Sequence, residues 1–265
     1  MFNINLKVSA ATCGKFDRKN QDNMLVDKFI TNVRNVSQFS SFIEVPNGKE
    51  SVFCVSDGIG GVRGGDYASE KTVSAVWENI VTLRTCDNID TIYSCLDLIN
   101  GQVVECLEDK GYCGGATLSG VIINNTGMWY WNIGDSPIYL VRNKKIRELS
   151  EEHTLAKCKN NKKTYASNVL TKYIGNYEET GGEQAKIDRL DLKQDDMVVI
   201  CTDGVIKGLT ERNIKNILLK NKNEHHLADE LVNAAKEHGA DDDITAIVIK
   251  VRKEDRWKWK KLKPE

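Results

Sequence analysis

The sequence predicts an α+β fold with antiparallel sheets, because its strand-like and helix-like segments occur in separate groups. Four short strand-like segments follow one another between residues 117 and 149, with a pair of helix-like segments before them and another after them. Alternating βαβ units would place a helix between successive strands instead. In addition, two apolar runs end on a hydroxyl residue followed by Asp-Gly, at Asp57 and Asp203, which indicates two buried strands.

The first half of the chain contains two predicted strands and two predicted helices. Alternating apolar and polar residues predict a strand over 1–8, and the apolar run at 52–56 is typical of a buried strand. The polar stretch 31–50 between them is predicted to be a loop with strand edges. Apolar residues at helical spacing predict helices over 67–83 and 89–109.

The second half begins with four strands that we expect to form one antiparallel meander, because turn-forming residues join them. They cover 117–123, 128–133, 138–142 and 145–149. The polar segment 155–168 is predicted to be a loop. The remaining predicted elements are a strand over 197–202, helices over 211–219 and 224–238, and a strand over 244–251.

Composition and charge favour a single cytoplasmic domain. The 265 residues contain no low-complexity linker, so we predict one folded domain over 1–252 and a basic, aromatic tail over 253–265. A formal net charge of −1 gives no field that would favour nucleic acid, and no apolar run reaches the roughly 20 residues of a membrane span. Eight cysteines without a secretion signal predict reduced thiols in the cytoplasm, and we expect a monomer.

Aspartates lie where predicted strands begin or end, at Asp22, Asp57, Asp203 and the run 241–243. Carboxylates gathered without a counter-charge repel one another and hold protons. An all-oxygen donor set suits Mg²⁺ or Mn²⁺ better than zinc, and two such ions would offset roughly four negative charges. Each segment alone has a simpler interpretation, because Asp-Gly also favours hairpins and the run 241–243 is typical of a solvated turn.

These aspartates belong to a longer series of motifs that occur in one order. The series is Asn20-Gln-Asp22, Asp57-Gly-Ile-Gly-Gly61 followed by Gly64, Ala68 and Ser69, Gly115-Ala-Thr117, Asn132-Ile-Gly-Asp-Ser136, Glu152-His-Thr154, the segment 168–175, Thr202-Asp-Gly204 and Asp242-Asp-Ile-Thr245. The ordered set covers roughly residues 8 to 251, and it resembles the metal-dependent type 2C (PPM) protein serine/threonine phosphatases of bacterial type.

The resemblance implies an α-β-β-α sandwich of two antiparallel sheets flanked by helix pairs. It implies that Asp57 bridges two Mn²⁺ or Mg²⁺ ions and that the Gly58 carbonyl helps to hold one of them. Asp203 and Asp242 would complete the first site, and Asp22 would hold the second ion directly or through water. Asp57, Asp203 and Asp242 would then be catalytic through metal-bound water, which attacks the phosphorus of phosphoserine or phosphothreonine in proteins.

The resemblance also implies a weaker third metal site, and at three places this sequence departs from the family's pattern. Asp135 would contribute to a third, weaker metal site. The family's phosphate-binding arginine falls at Asp17, so the neighbouring Arg18 is the candidate phosphate ligand, with a surface ion pair as the simpler alternative. Asp243 replaces the family's asparagine and adds a carboxylate that could tighten or distort the site. The segment 155–167 is a shortened version of the family's flap.

The resemblance also implies partners, and it leaves an alternative. The substrates would be phosphoproteins made by a serine/threonine kinase, with no nucleic acid involved. Because Arg18 is displaced from the family position, a non-catalytic pseudophosphatase that binds phosphoproteins is the alternative on the same fold. A regulator that switches between protein partners is a variant of that alternative.

Overall fold

The fold is an α-β-β-α sandwich in a computed structural model that describes residues 4–15, 19–31, 38–59, 63–124, 127–158, 169–221 and 223–253. Two six-stranded antiparallel sheets face each other, and helices cover the outer face of each sheet. The predicted fold class is therefore confirmed. The described chain ends with the last strand, so the proposed boundary between a domain over 1–252 and a tail stays a prediction.

The strands and helices follow one another closely along the chain. The strands are β1 (Ile4–Cys13), β2 (Asp22–Val26), β3 (Phe29–Thr31), β4 (Gln38–Val45), β5 (Ser51–Asp57), β6 (Leu118–Asn124), β7 (Gly127–Ile133), β8 (Ile138–Arg142), β9 (Lys145–Glu148), β10 (Lys186–Leu190), β11 (Met197–Cys201) and β12 (Ile244–Lys253). The helices are α1 (Gly65–Glu78), α2 (Ile80–Thr85), α3 (Ile89–Lys110), α4 (Leu155–Cys158), α5 (Gly181–Gln184), α6 (Asp203–Gly208), α7 (Glu211–Lys220) and α8 (Leu227–Glu237), with a 3₁₀ turn at Glu224–His226.

Sheet A has the strand order β4-β1-β12-β11-β8-β9, and sheet B has the order β10-β7-β6-β5-β2-β3. Alternate residues of the central strands point to opposite faces, so each sheet contributes to two cores. The inner core joins the sheets, as Val8 and Ile249 of sheet A cluster with Met24 and Phe53 of sheet B. One outer core packs α1 to α3 on sheet B, and the other packs α6 to α8 on sheet A.

Three predictions about local structure are wrong in informative ways. The polar stretch 31–50 contains the eight-residue strand β4, which pairs with β1 and is the first strand in the order of sheet A. The expected single meander is divided, because β6 and β7 lie in sheet B whereas β8 and β9 lie in sheet A. The helix predicted over 67–83 is two helices that meet at Asn79.

Other predicted elements agree closely with the structure. The helix predicted over 89–109 is α3, which begins after the capping side chain of Asn88 and ends at Gly111 in the left-handed conformation, with φ 60°. Cys54 and Cys201 are fully buried core residues of β5 and β11. None of the helices in the described ranges combines the length and the apolar composition needed to cross a bilayer.

Candidate active site

The aspartates converge because strands from both sheets end at the same edge of the sandwich. Asp22 begins β2 and lies directly opposite Asp57, the last residue of β5, in the antiparallel register of sheet B. In sheet A, Asp203 begins α6 immediately after β11, and Asp242 lies just before β12. A cleft of about 850 Å³ opens at this edge, and Asp57, Asp135, Asp203 and Asp242 are among the residues that line it.

Burial and mutual repulsion raise the pKa values of these carboxyl groups. Burial is the main cause at Asp22, where the neighbouring Asp243 adds to the effect, and the pKa rises to about 8. Burial and then Asp22 and Asp203 hold the pKa of Asp57 well above its usual range. At Asp135, burial and then Asp203 raise the pKa to about 7. The site therefore stabilises positive charge placed among these oxygens.

Asp22 is fully buried and is held by hydroxyl groups from the opposite sheet. Its Oδ2 accepts a hydrogen bond of 2.8 Å from the Thr202 hydroxyl, which in turn accepts one of 3.0 Å from the backbone N–H of Thr245. The Thr245 hydroxyl lies 2.7 Å from that of Thr12 in β1. Asp22 Oδ1 is equally buried, and it has no hydrogen-bond partner among the described residues.

The backbone of Asp57 is fixed by two of the motifs that follow it in the sequence. Its N–H donates to the Thr117 hydroxyl at 2.9 Å, and its carbonyl accepts from the Thr117 N–H at 2.8 Å. The Thr117 hydroxyl also lies 2.8 Å from that of Ser136. Because Ser136 follows Asp135 directly, this chain of contacts links the backbone of Asp57 to the segment that carries Asp135.

The turn that carries Asp135 from sheet B to sheet A is held by the Glu152-His-Thr154 motif. Gly134 has φ 102°, a left-handed conformation that favours glycine. Its N–H donates to Nδ1 of His153 at 3.1 Å, and its carbonyl accepts from the His153 N–H at 3.1 Å. Burial lowers the pKa of His153 to about 4, so the ring is neutral and can accept at neutral pH.

Close backbone contacts explain why each strand-ending aspartate is followed by glycine. A methyl group on Gly58 would overlap the carbonyl oxygen of Gly65 at the start of α1. A methyl group on Gly204 would overlap the carbonyl oxygen of Asp243. The Asp-Gly phrases are therefore sites of close chain approach, and neither forms the hairpin that this dipeptide also favours.

Asp243 holds the loop that leads into β2. Its Oδ1 accepts from the Lys15 N–H at 2.7 Å, and its Oδ2 accepts from the Gln21 N–H at 2.8 Å. An asparagine here would offer only one such acceptor. The additional carboxylate thus ties the β1–β2 loop to the start of β12, and it also contributes to the raised pKa of Asp22.

A cation that the sequence reasoning did not identify lies among the aspartates. Lys207 Nζ is 2.6 Å from Asp203 Oδ2, and it also donates to Asp242 Oδ2. Since Lys207 follows Asp203 by four residues on α6, the i,i+4 spacing would have placed the two side chains together had the helix been predicted. No helix was predicted between the strand over 197–202 and the helix over 211–219, so this pair was not expected.

The donor set fits divalent metal ions that prefer oxygen ligands. The carboxylates raise one another's pKa values, and the buried Asp22 Oδ1 has no hydrogen-bond partner within the described ranges. Within the described ranges, no group of three or more Asp, Glu, His or Cys side chains is placed so that it could already hold a metal ion. The ligand roles of Asp22, Asp57, Gly58, Asp203, Asp242 and Asp135 therefore stay predictions. Arg18 lies outside the described residues.

Comparison with known proteins points to one family. A family model described as "Protein phosphatase 2C" matches residues 41–247. "Serine/threonine phosphatase stp" of Listeria innocua is 26% identical over 216 residues, which cover 76% of this chain and 84% of that relative. "Protein phosphatase PhpP" of Streptococcus pneumoniae is 26% identical over 222 residues, which cover 77% of this chain and 87% of that relative.

Solved structures share the fold over nearly the whole chain. The PPM Ser-Thr phosphatase MsPP from Mycobacterium smegmatis, in complex with cacodylate, superposes with a TM-score of 0.71 at 22% identity and covers 91% of this chain and 97% of its own. The catalytic domain of the phosphatase PstP, in complex with two manganese ions, gives a TM-score of 0.73 at 17% identity and covers 94% of this chain and 99% of its own. At such identities the likeness establishes the fold.

The family model agrees with the resemblance that the ordered motifs indicated, and the curated relatives carry names of the predicted enzyme class, protein serine/threonine phosphatases. The predicted resemblance is thus confirmed. Because the family model spans well over half of the sequence, the chain belongs to the protein phosphatase 2C family.

Proposed function

We propose that this chain hydrolyses phosphoserine and phosphothreonine in proteins and that it requires two divalent ions, Mn²⁺ or Mg²⁺, to do so. The observation that carries the proposal is the convergence of aspartates from both sheets on one cleft, where they raise one another's pKa values. A manganese-containing neighbour of the same fold and the names of the relatives support the proposal.

Asp57 is central to the proposed site because it lies between the other carboxylates. It is opposite Asp22 in the sheet, and its pKa responds to Asp22, Asp203, Asp135 and Asp242. We assign Asp57, the Gly58 carbonyl, Asp203 and Asp242 to one ion, and Asp57 and Asp22 to the other. Asp135, which also lines the cleft, is the candidate for a third, weaker site.

Bound divalent ions supply activation of water and neutralisation of phosphate charge, which are the two needs of phosphate ester hydrolysis. The chain itself positions the aspartates that are the proposed ligands. Thr117 and Ser136 fix the backbone of Asp57, and Thr202 fixes the carboxylate of Asp22 across the two sheets. No covalent phosphoenzyme is required, so the proposal needs no nucleophilic side chain.

The cleft can accept a phosphorylated side chain carried on a polypeptide. It is open to solvent on one side, and its walls combine the carboxylate end with apolar side chains of Val169, Leu170 and Tyr173. Val169 is 51% exposed, so this wall can contact the peptide around the phosphorylated residue. We therefore expect phosphopeptides to be better substrates than small phosphate esters.

The test is a phosphatase assay with a phosphothreonine peptide, in Mn²⁺ or in excess chelator. Wild-type protein should release phosphate only with the metal. Asp57→Asn and Asp203→Asn should lower kcat/KM by roughly 10³-fold or more, because each removes an electrostatic contact to the reacting centre. Asp241→Asn is the matched control, since Asp241 lies at the cleft with its side chain 82% exposed and paired with Lys15.

Three outcomes would decide against the proposal. Equal activity in chelator would exclude the metal requirement, and wild-type rates in Asp57→Asn would exclude the assigned site. Tight binding of Mn²⁺ and phosphopeptide without turnover would instead identify a non-catalytic binding module on the same fold.

A further inference from the structure

We propose that the Lys207 ammonium competes with a divalent ion for the carboxylates of Asp203 and Asp242, so that Lys207 sets the metal affinity of the site. The inference rests on the proposed function, which assigns both carboxylates to one ion. It concerns a residue that the ordered motifs do not include.

The geometry places the ammonium between two proposed ligands. Lys207 Nζ lies 2.6 Å from Asp203 Oδ2 and donates a second hydrogen bond to Asp242 Oδ2. The two carboxylates come from different segments, the start of α6 and the loop before β12. The ammonium therefore joins the same two segments that a shared ion would join.

An ammonium and a divalent ion cannot use the same oxygens at full strength. Charge-assisted hydrogen bonds to carboxylates engage the same oxygens that a hard cation needs, and two cations at that distance repel each other. An ion that binds Oδ2 of Asp203 and Oδ2 of Asp242 would therefore break both contacts of Lys207 and move its ammonium away.

Lys207 has room for that movement. Its side chain is 36% exposed and lines the open cleft, and its four-carbon stem lets the charge move several ångströms without a change in the helix. Ion binding at this pair thus becomes an exchange of one cation for another, which weakens the apparent affinity for the ion. In chelator, the same ammonium stabilises a cluster of carboxylates that would otherwise repel one another.

Lys15 provides a matched control for the change of charge. It also lines the cleft, and its Nζ lies 2.5 Å from Asp241 Oδ1, a carboxylate that the proposed function does not assign to an ion. Replacing either lysine removes one positive charge from the same cleft. Only the replacement of Lys207 frees the proposed ligands.

The first experiment measures Mn²⁺ binding by isothermal titration calorimetry at constant pH and salt. Lys207→Met should bind the tighter ion at least about tenfold more strongly than wild type, because two charge-assisted contacts no longer have to be broken. Lys15→Met should change the affinity by less than about threefold, the size of a screened surface effect. Unchanged or weaker binding by Lys207→Met relative to Lys15→Met would overturn the inference.

A second experiment uses the wild-type protein, in case Lys207→Met does not fold without metal. Lysines are labelled with an amine-reactive ester in chelator and in saturating Mn²⁺, and labelling at each lysine is quantified by mass spectrometry. Labelling of Lys207 should rise when Mn²⁺ is present, whereas labelling of Lys15 should not. Equal or lower labelling of Lys207 with Mn²⁺ would contradict the competition.

The two experiments separate this inference from the proposed function. If wild type and both variants bind no Mn²⁺, the proposed metal site fails and the inference fails with it. If wild type binds Mn²⁺ but Lys207→Met shows no gain and the labelling of Lys207 is constant, only the role of Lys207 is excluded.

Discussion

Replacing Asp22 by asparagine should make the metal-free protein more stable while it removes part of the proposed metal site. Asp22 is fully buried, and its carboxyl pKa is raised from 3.8 to about 8 by burial and by Asp243. When the pKa of a carboxyl group is higher in the folded than in the unfolded state, its contribution to the free energy of unfolding is fully present below about pH 4. That stability is lost as the pH rises from about 4 through about 8. Asparagine carries no charge and shows no such loss.

The size of the effect follows from the shift in pKa. Each pH unit between the unfolded and folded values contributes about 1.4 kcal/mol, which gives an upper limit of about 4 kcal/mol at pH 7. The asparagine keeps an oxygen that accepts the Thr202 hydrogen bond, but a buried amide donor without a partner costs about 1–3 kcal/mol. We therefore expect a net gain of about 1–3 kcal/mol in the free energy of unfolding in chelator.

The assay is urea unfolding in chelator between pH 6.5 and 8, where burial keeps His153 neutral in the folded protein. Wild type should lose more stability across this range than Asp22→Asn, by about 2 kcal/mol. Asp241→Asn, an exposed control at the same cleft, should follow wild type. Addition of Mn²⁺ should then stabilise wild type more than Asp22→Asn. Parallel pH profiles for the two proteins in chelator would refute this account of the site's electrostatics.

Three further predictions concern the residues that support the site. As the pH falls from 6.5 through about 4, the depressed pKa of His153 should cost wild type up to about 3 kcal/mol, whereas His153→Gln should show a flatter pH profile in urea unfolding. Gly204→Ala should lose about 1–3 kcal/mol in the same assay and should also lower Mn²⁺ affinity in calorimetry, because its methyl group displaces Asp243 from α6. Thr117→Val should lower the free energy of unfolding by about 1–3 kcal/mol and reduce kcat more than KM, since the Asp57 N–H loses its acceptor.

Each of these predictions has an outcome that contradicts it. Equal acid sensitivity of His153→Gln and wild type would show that another group controls stability below neutral pH. A Gly204→Ala protein with unchanged Mn²⁺ affinity would show that the close contact between Gly204 and Asp243 does not affect the metal site. A Thr117→Val protein that is destabilised but fully active would limit Thr117 to a structural role.

Local patterns in the sequence predicted the strands that are buried on both faces. The apolar runs that became β5 and β11 have no polar alternation, which is typical of strands with a core on each side. The strand β4 was missed because it lies at the edge of sheet A and has four polar residues among its eight. The division of β7 and β8 between two sheets depends on their long-range pairing with β10 and β11, which the residues of the turn between them cannot reveal.

The site was predictable to the extent that its residues lie in ordered motifs. The aspartates at strand ends met at one cleft because both sheets end at the same edge, and the motif order suggested this arrangement. Lys207 was missed because no element was predicted between residues 202 and 211, where the structure has the helix α6. The contribution of Thr12 depends on a contact between residues 233 positions apart, which a single sequence cannot show.

Anomalous diffraction at the manganese edge from crystals soaked in Mn²⁺ tests whether these aspartates form a metal centre. We predict two peaks within ligand distance of the Asp57 carboxylate, one also beside Asp203 and Asp242 and the other on the Asp22 side. We further predict that Lys207 Nζ no longer contacts Asp203 in those crystals. The absence of anomalous density at this cleft in crystals saturated with Mn²⁺ would contradict the claim that these aspartates form a metal centre.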